Sequence, residues 1–371
     1  MTADMDFMRQ ALRLARRGVG MTSPNPMVGA VLVKGKKIIG QGWHHRAGEP
    51  HAEIEAIRDA QACRHDICNT TLYVTLEPCS TQGRTPPCTE AIRAAGIRRV
   101  VVAATDPNPA HAGRAYRLLR RARIIVQHGL LAKEATALNF AFNHWIVHRM
   151  PFVTVKSAMT MDGKIATGVG ESKWITGGLA RARGMALRAE ADGVLVGINT
   201  ILADNPKLTP RIPGVRNPRR IILDSHARTP LRANVVTDKF ARLTTIVVGK
   251  SAPTSRVAAL ARRVNVFTAP LSGAELSLRW LLKKLGAEGV TSLLVEGGGE
   301  VNASFLLGGF AQRVEFFYAP KVLGGRDARK SVAGEGVQQV ADMIKLRDVE
   351  WKHLGPDLWL RANIETGQGR G

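Results

Sequence analysis

Aromatic side chains make up only 5% of the chain, so its cores must be built from valine, isoleucine, leucine and alanine. Interleaved aromatics on which nucleic-acid bases could stack are missing as well. Acidic residues are few, 30 Asp+Glu against 53 Lys+Arg, which leaves a net charge of +23. That excess does not form an arm or tail. It is spread as pairs along the chain, at Arg16-Arg17, Arg98-Arg99, Arg120-Arg121, Arg219-Arg220 and Arg262-Arg263, so a phosphate-backbone surface is not indicated. Cysteine is scarce and confined to the first quarter: Cys63, Cys68, Cys79 and Cys88. This is no secreted disulfide framework. No apolar run approaches the roughly 18 residues of a membrane span. The first ten residues hold Asp4 and Asp6 and no apolar stretch, so they do not read as a signal peptide. The expectation is a cytoplasmic protein with no membrane partner.

What is present is an ordinary globular composition, 45% apolar and 22% charged over 371 residues, long enough for two domains. The pattern over residues 4–17 is helical, and the breaker-rich loop Ser23-Pro24-Asn25-Pro26 follows. A hairpin over 27–40 comes next, then a helix at 51–62, a strand at 71–76, a helix at 87–95 and a strand at 100–104. A helix at 113–123, a short strand at 124–127 and one long helix over 130–149 complete the first half. The order predicts an α/β layer sandwich with a mixed sheet. Pro151 ends the long helix, since proline disfavours helical geometry in the residue before it. A boundary between 149 and 150 is therefore expected. Alternation then resumes, with strands at 152–157, 193–197, 220–224, 244–248, 292–296 and 313–319. Helices are expected at 179–191, 274–285 and from 301, and a closing β element at 351–364. The second half is another α/β domain.

One constellation in the first half carries chemistry. His51-Ala52-Glu53 opens a predicted helix, Pro78-Cys79 follows a predicted strand, and Cys88 begins a further helix after eight intervening residues. Imidazole and two thiolates suit zinc, and three protein ligands leave a fourth position for water. Zinc brings the pKa of that water toward neutrality. Glu53 is near enough to shuttle its proton without being a ligand. The same set occurs in zinc nucleobase deaminases, where two residues separate the cysteines. The longer loop here points to a small-molecule substrate. Cys63 and Cys68 read as structural.

The segments Ser23-Pro24-Asn25-Pro26-x-Val28-Gly29, His51-Ala52-Glu53 and Glu77-Pro78-Cys79-Ser80-x-x-Gly83-Arg84-Thr85-Pro86-Pro87-Cys88 resemble the bifunctional riboflavin-biosynthesis deaminase/reductase family. In the second half so do Val155-Lys156-Ser157-Ala158-Met159-x-x-Asp162-Gly163-Lys164-Ile165-Ala166, Glu171-Ser172-x-Trp174-Ile175-Thr176, Gly197-x-x-Thr200-x-x-x-Asp204-x-Pro206, Glu296-Gly297-Gly298-Gly299 and Ala319-Pro320-Lys321-x-x-Gly324-Gly325. The resemblance implies a cytidine-deaminase-like three-layer α/β/α domain over 1–149. It implies a dihydrofolate-reductase-like α/β domain over 150–371. Two consecutive reactions follow from it: deamination of 2,5-diamino-6-(5-phosphoribosylamino)pyrimidin-4(3H)-one, then NADPH-dependent reduction of the ribosyl to the ribityl group.

By the same resemblance His51, Cys79 and Cys88 hold zinc, Glu53 moves the proton and Asn25 helps to hold the pyrimidine. NADPH falls to Ala158, Trp174, Thr200, Asp204, Ser225 and the Gly297-Gly298-Gly299 loop. Substrate falls to Ser172, Arg188, Leu208, Arg211 and Glu296. Arg188 and Arg211 suit a ribose phosphate, because guanidinium binds phosphate bidentately. Lys156 sits in an apolar strand pattern, where an inward lysine suggests a ligand contact. The glycine triplet follows a strand and precedes a helix, so backbone N–H groups can approach phosphate. It is not the fingerprint of a standard dinucleotide fold. Family members often have histidine after Pro-Cys-Ser, where this chain has Thr81, which touches substrate contacts rather than zinc ligation.

The partners expected are a small phosphorylated pyrimidine and further copies of the chain, with no nucleic acid. The competing reading is a tRNA or single-stranded DNA base deaminase with an accessory binding domain. The eight-residue cysteine loop and the whole second half weigh against it.

Overall fold

The computed structural model describes residues 3–81 and 86–365. The chain divides into two compact units, Met1–Arg149 and Met150–Gly371. Among the described residues no helix is long and apolar enough to cross a membrane.

In the first unit five strands form one sheet. Gly29–Lys34 pairs antiparallel with Lys37–Trp43 and with Thr71–Leu76, and Arg99–Ala104 and Ile125–His128 follow in parallel. Thr71–Leu76 and Arg99–Ala104 are buried along nearly their whole length, as central strands covered on both faces must be. Alternate side chains point to opposite faces. Leu32, Val74, Val100 and Val102 meet Ile57, Ile92 and Leu119 from the helices Ala52–Ala62, Cys88–Ala94 and Arg114–Arg121. Val31, Val33, Tyr73 and Val101 meet Met8 and Leu12 of Ala3–Ala15 and Ala135 of Ala132–Leu138. The result is three layers.

Two glycines set the depth of the helix that begins just after His51. A Cβ at Gly42 would lie 2.5 Å from the Ala52 carbonyl oxygen, and one at Gly40 would collide with the Ala56 oxygen. Only glycine lets Ala52–Ala62 lie directly on strand Lys37–Trp43.

The long helix expected over 130–149 is in fact two, Ala132–Leu138 and Phe140–His148. The break is at Asn139, which is 3% exposed. Its Oδ1 accepts from Met27 N at 2.8 Å and its Nδ2 donates to Met27 O at 2.9 Å. A distant strip of backbone has captured the residue, and the periodicity of apolar side chains carries no trace of that. Asn139→Ala should lower the unfolding free energy by about 2 kcal/mol, because both Met27 groups lose their partner. A denaturant midpoint equal to the parent's would show that water replaces the amide.

The second unit is built on nine strands in the order Asn265–Ala269, Thr244–Gly249, Arg219–Leu223, Gly193–Gly197, Ser292–Val295, Phe152–Thr160, Arg313–Ala319, Asp357–Ile364, Leu346–Leu354. The first seven are parallel, and the last two add an antiparallel hairpin at one edge. The closing β element is thus two strands. The helix expected over 274–285 begins later, at Leu278, because Glu275–Leu276 pairs with Leu271–Ser272. Ser277 caps it, accepting from Trp280 N. Apolar clusters cover both faces of the sheet, around Leu195, Leu293 and Phe305 on one and Val194, Ile222 and Phe317 on the other.

Candidate active sites

His51 stands at the entrance of helix Ala52–Ala62 in extended geometry, and Glu53 lies in the first turn. Cys79 follows the end of strand Thr71–Leu76, and Cys88 opens its own helix. Three elements therefore deliver three donors to one point. His51 Nδ1 is 3.3 Å from Cys88 Sγ and 3.5 Å from Cys79 Sγ. Cys88 N donates to Cys79 Sγ at 3.2 Å. All three donor atoms lie within 4.8 Å of one another. Ordinary zinc–sulfur and zinc–nitrogen lengths at a tetrahedral angle put N and S about 3.5 Å apart, so the donor set and its spacing fit zinc.

The electrostatics agree. The hydrogen bond with Cys88 and the neighbouring His51 outweigh burial and push the Cys79 thiol down to about 4. The hydrogen bond with Cys79 raises His51. Glu53, 3% exposed, is raised by burial. A buried carboxyl held above its usual range suits a group that must carry a proton.

A cavity of about 240 Å³ opens beside these residues, with Asn25, Glu53, Cys79 and Thr81 on its lining. Asn25 Nδ2 lies 3.0 Å from His44 Nε2, and His44 Nδ1 lies 3.0 Å from the Pro50 carbonyl oxygen. That carbonyl can only accept, so Nδ1 carries the proton and Nε2 accepts from Asn25. His44 thereby fixes which end of the Asn25 amide is committed, leaving Oδ1 for a ligand. His44, Asp106, Asn108 and His111 also line the cavity. None carried a recognisable motif, and the doublet His44-His45 after a predicted strand was the only local sign. Gly83, Arg84 and Thr85 of the cysteine loop lie outside the described residues. Cys63 and Cys68, expected to be structural, are both exposed, and neither joins the donor cluster.

The second unit has a larger cavity, about 870 Å³, at the carboxyl ends of Gly193–Gly197, Arg219–Leu223 and Ser292–Val295, where open parallel sheets bind ligands. Ser172, Thr200, Asp204, Glu296 and Gly297–Gly299 line it. Gly298 precedes helix Gly299–Leu307. A Cβ at Gly297 would collide with Val301 and one at Gly299 with the Lys330 carbonyl, whereas one at Gly298 would meet nothing within 4 Å. Asp204 ends helix Ile198–Asp204 and pairs with Lys173 Nζ at 3.1 Å.

Glu296 is the centre of a charged knot. Arg188 Nε and Nη2 donate to its two oxygens at 2.8 and 2.7 Å, and Lys156 Nζ lies 4.0 Å away. Arg188 also donates to Thr209 O at 3.2 Å. The fork expected to face a phosphate is thus taken by a carboxylate, while Arg211 is exposed.

The other expected positions are not on the cavity lining. Trp174 is 65% exposed, with the Arg181 guanidinium 4.7 Å from its ring, and is no core residue. Leu208 packs in the core, as does the partly buried Ala158. The Ser225 carbonyl accepts from Gly249 N. Arg329 and Lys330, two cations on the cavity lining, had no signal among so many basic residues.

Residues 151–360 match the family described as the RibD C-terminal domain, and residues 1–104 match the cytidine and deoxycytidylate deaminase zinc-binding region. The riboflavin biosynthesis protein RibD of Actinobacillus pleuropneumoniae is 43% identical over 96% of this chain and 94% of its own length. That of Escherichia coli is 38% identical over 96% and 98%. Among solved structures, Acinetobacter baumannii RibD superposes with a TM-score of 0.86 at 34% identity, covering 98% of this chain and 99% of that one. The Thermotoga maritima diaminohydroxyphosphoribosylaminopyrimidine deaminase/5-amino-6-(5-phosphoribosylamino)uracil reductase gives 0.85 at 36%, with the same coverage. Similarity of this level along nearly the whole chain, joined to the His51–Cys79–Cys88 donor set, means that the chain belongs to the RibD family of riboflavin-biosynthesis proteins.

Proposed function

We propose that the chain carries out two successive steps on one small phosphorylated pyrimidine. It removes the 2-amino group of 2,5-diamino-6-(5-phosphoribosylamino)pyrimidin-4(3H)-one, then reduces the ribosyl group of the product to ribityl. The observation that carries this is the zinc-suited donor triangle beside a buried carboxyl, in a chain that continues into a RibD C-terminal domain. Membership of this family sets aside the nucleic-acid deaminase alternative. The two activities divide between residues 1–149 and 150–371.

His51, Cys79 and Cys88 hold zinc, which when bound supplies the Lewis acidity that makes water a nucleophile near neutral pH. Water replaces the ring amine: a carbon–oxygen bond forms, the carbon–nitrogen bond breaks and ammonia leaves. Glu53 takes the water's proton on its carboxylate oxygen and delivers it to the departing nitrogen. Asn25, oriented by His44, holds the pyrimidine through Oδ1.

In the second unit NADPH, when bound, would supply the hydride, with the accompanying proton taken from water. Gly297–Gly299 bring backbone N–H groups and a helix N-terminus to its phosphates. Thr200 and Asp204 contact it from the wall of the cavity, and Ala158, Trp174 and Ser225, which lie off that lining, are assigned to it on the family resemblance alone. Ser172, Lys156, Glu296 and Arg188 hold the sugar, with Arg211 toward its phosphate and Leu208, whose side chain packs in the core, offering only its backbone. The protein works in the cytoplasm as a homo-oligomer. Sedimentation at the 40.2 kDa of one chain would overturn that assembly.

The direct test supplies the diaminopyrimidine and follows ammonia release and NADPH oxidation separately. Ammonia should appear without NADPH, and NADPH oxidation should require the deaminated product. NADPH consumed while the 2-amino group is retained would sink the order of steps.

The glycine triplet gives a sharper check. Gly298→Ala has room for its methyl group, so the fold should be unchanged while the KM for NADPH rises about tenfold through loss of close backbone approach. Gly297→Ala and Gly299→Ala should destabilise the protein outright. An unchanged KM in Gly298→Ala would place the cofactor phosphates elsewhere.

A further inference from the structure

The cavity beside the zinc-suited donors has a wall that the mechanism has not used, the strap over residues 105–113. It is tied down from below by one carboxylate. Glu77, 6% exposed, accepts from Asp106 N at 3.2 Å, Gly113 N at 2.9 Å and Ala115 N at 3.0 Å. Within the strap Asp106 Oδ1 accepts from Asn108 N at 2.8 Å, Asn108 Oδ1 from Ala110 N at 3.1 Å, and the Asn108 carbonyl from His111 N at 2.9 Å. Two nested Asx turns on a buried anchor make a fixed platform rather than a loose loop. Asp106, Asn108 and His111 project from it onto the cavity lining.

The proposed substrate carries a phosphate monoester, and the described lining of this cavity includes no lysine or arginine. Cation-capable groups on that lining are three imidazoles. His44 has both ring nitrogens engaged, with Pro50 and with Asn25. His51 belongs to the donor triangle. His111 remains, half-buried, on the strap that also carries Asp106. Thr81 lines the same cavity with a neutral hydroxyl.

We propose that His111 is a substrate-binding residue of the deaminase site and donates a hydrogen bond to the phosphate of the phosphoribosyl arm. Glu77 is the positioning residue that holds the strap in place for it. This rests on the deaminase function proposed above. A charge-assisted hydrogen bond to phosphate contributes to binding rather than to chemistry, so its loss raises KM and spares kcat.

The test uses the full chain loaded with zinc, His111→Ala and His111→Lys, and two substrates, the diaminopyrimidine 5-phosphoribosyl compound and its dephosphorylated form. Ammonia release is followed. For His111→Ala the KM for the phosphorylated substrate should rise about tenfold or more, with kcat within about twofold. The KM for the dephosphorylated form should equal the parent's, and His111→Lys should recover most of the loss. Zinc content, and NADPH oxidation with the deaminated product supplied, equal to the parent's verify an intact protein. An unchanged KM in His111→Ala, or an equal rise on both substrates, would overturn the phosphate contact. Absence of ammonia release from the parent chain would instead bring down the deaminase reading, and this proposal with it.

Discussion

Replacing Glu53 by glutamine is expected to reduce ammonia release by about a thousandfold or more while leaving zinc content, and NADPH oxidation with the deaminated product supplied, as in the parent. The size follows from the role. A positioned general acid–base contributes roughly 10²–10⁴ in rate, and glutamine keeps the volume and hydrogen-bonding reach but cannot take up a proton. Glu53 sits in the first turn of a helix that Gly40 and Gly42 allow to lie directly on the sheet, so its carboxyl has little freedom to be replaced by a neighbour. It is also not one of the three donors, so metal should stay. Cys88→Ser separates the two roles: it should lose zinc and ammonia release together, whereas Glu53→Gln loses only the second. A chelator should reproduce the Cys88→Ser loss in the parent, with recovery on adding zinc. Ammonia release from Glu53→Gln within tenfold of the parent would remove Glu53 from the proton path and point to water or substrate in its place.

The residues that could be assigned from sequence are those whose partners are close along the chain or whose spacing is itself the chemistry. His51 and Glu53 share one helix start. Cys79 and Cys88 each flank an element with a clear period. Strands 71–76 and 193–197 were legible because they are short apolar runs bounded by breakers. What was not legible depends on distant partners. Asn139 breaks a helix because Met27 grips it across 112 residues. His44 becomes part of the deaminase site only through Asn25 and Pro50. The resemblance assigned Arg188 to substrate, where its guanidinium suits a phosphate, and only the folded chain brings Glu296, 108 residues away, to occupy its fork. The strap over 105–113 is a further case. It falls in the gap between the strand expected at 100–104 and the helix expected at 113–123, and nothing local announced that Glu77 would anchor it over a catalytic cavity. Residue type and period give elements and first ligands; the groups that orient those ligands come from long-range closure.

Glu296→Gln should be the most damaging single change in the second unit. The carboxylate is 9% exposed and balances two cations, Arg188 at 12% and Lys156 at 20%. Removing its charge leaves both uncompensated at the edge of the core, and breaking a buried pair in this way costs about 3–5 kcal/mol. Its titration makes the claim specific. Burial alone would raise the Glu296 carboxyl, but the charges of Arg188 and Lys156 and the Arg188 hydrogen bonds outweigh it and hold the group at about 2, against an ordinary value of 4.5. A carboxyl lowered on folding contributes stability that is complete above its unfolded value and drains away as pH falls through the folded one. The parent's advantage over Glu296→Gln should therefore be full at pH 6. It should shrink by about 3 kcal/mol on going from pH 5 to pH 2, the energy equivalent of the shift. Denaturant unfolding of both proteins across that range measures it. NADPH oxidation should fall on the order of a hundredfold, since the same carboxylate stands beside Gly297 on the cavity wall, and ammonia release should not change. Unfolding free energies that stay parallel from pH 6 to pH 2 would mean that Arg188 and Lys156 do not hold Glu296 ionised, and the charged knot would lose its place in the reductase site.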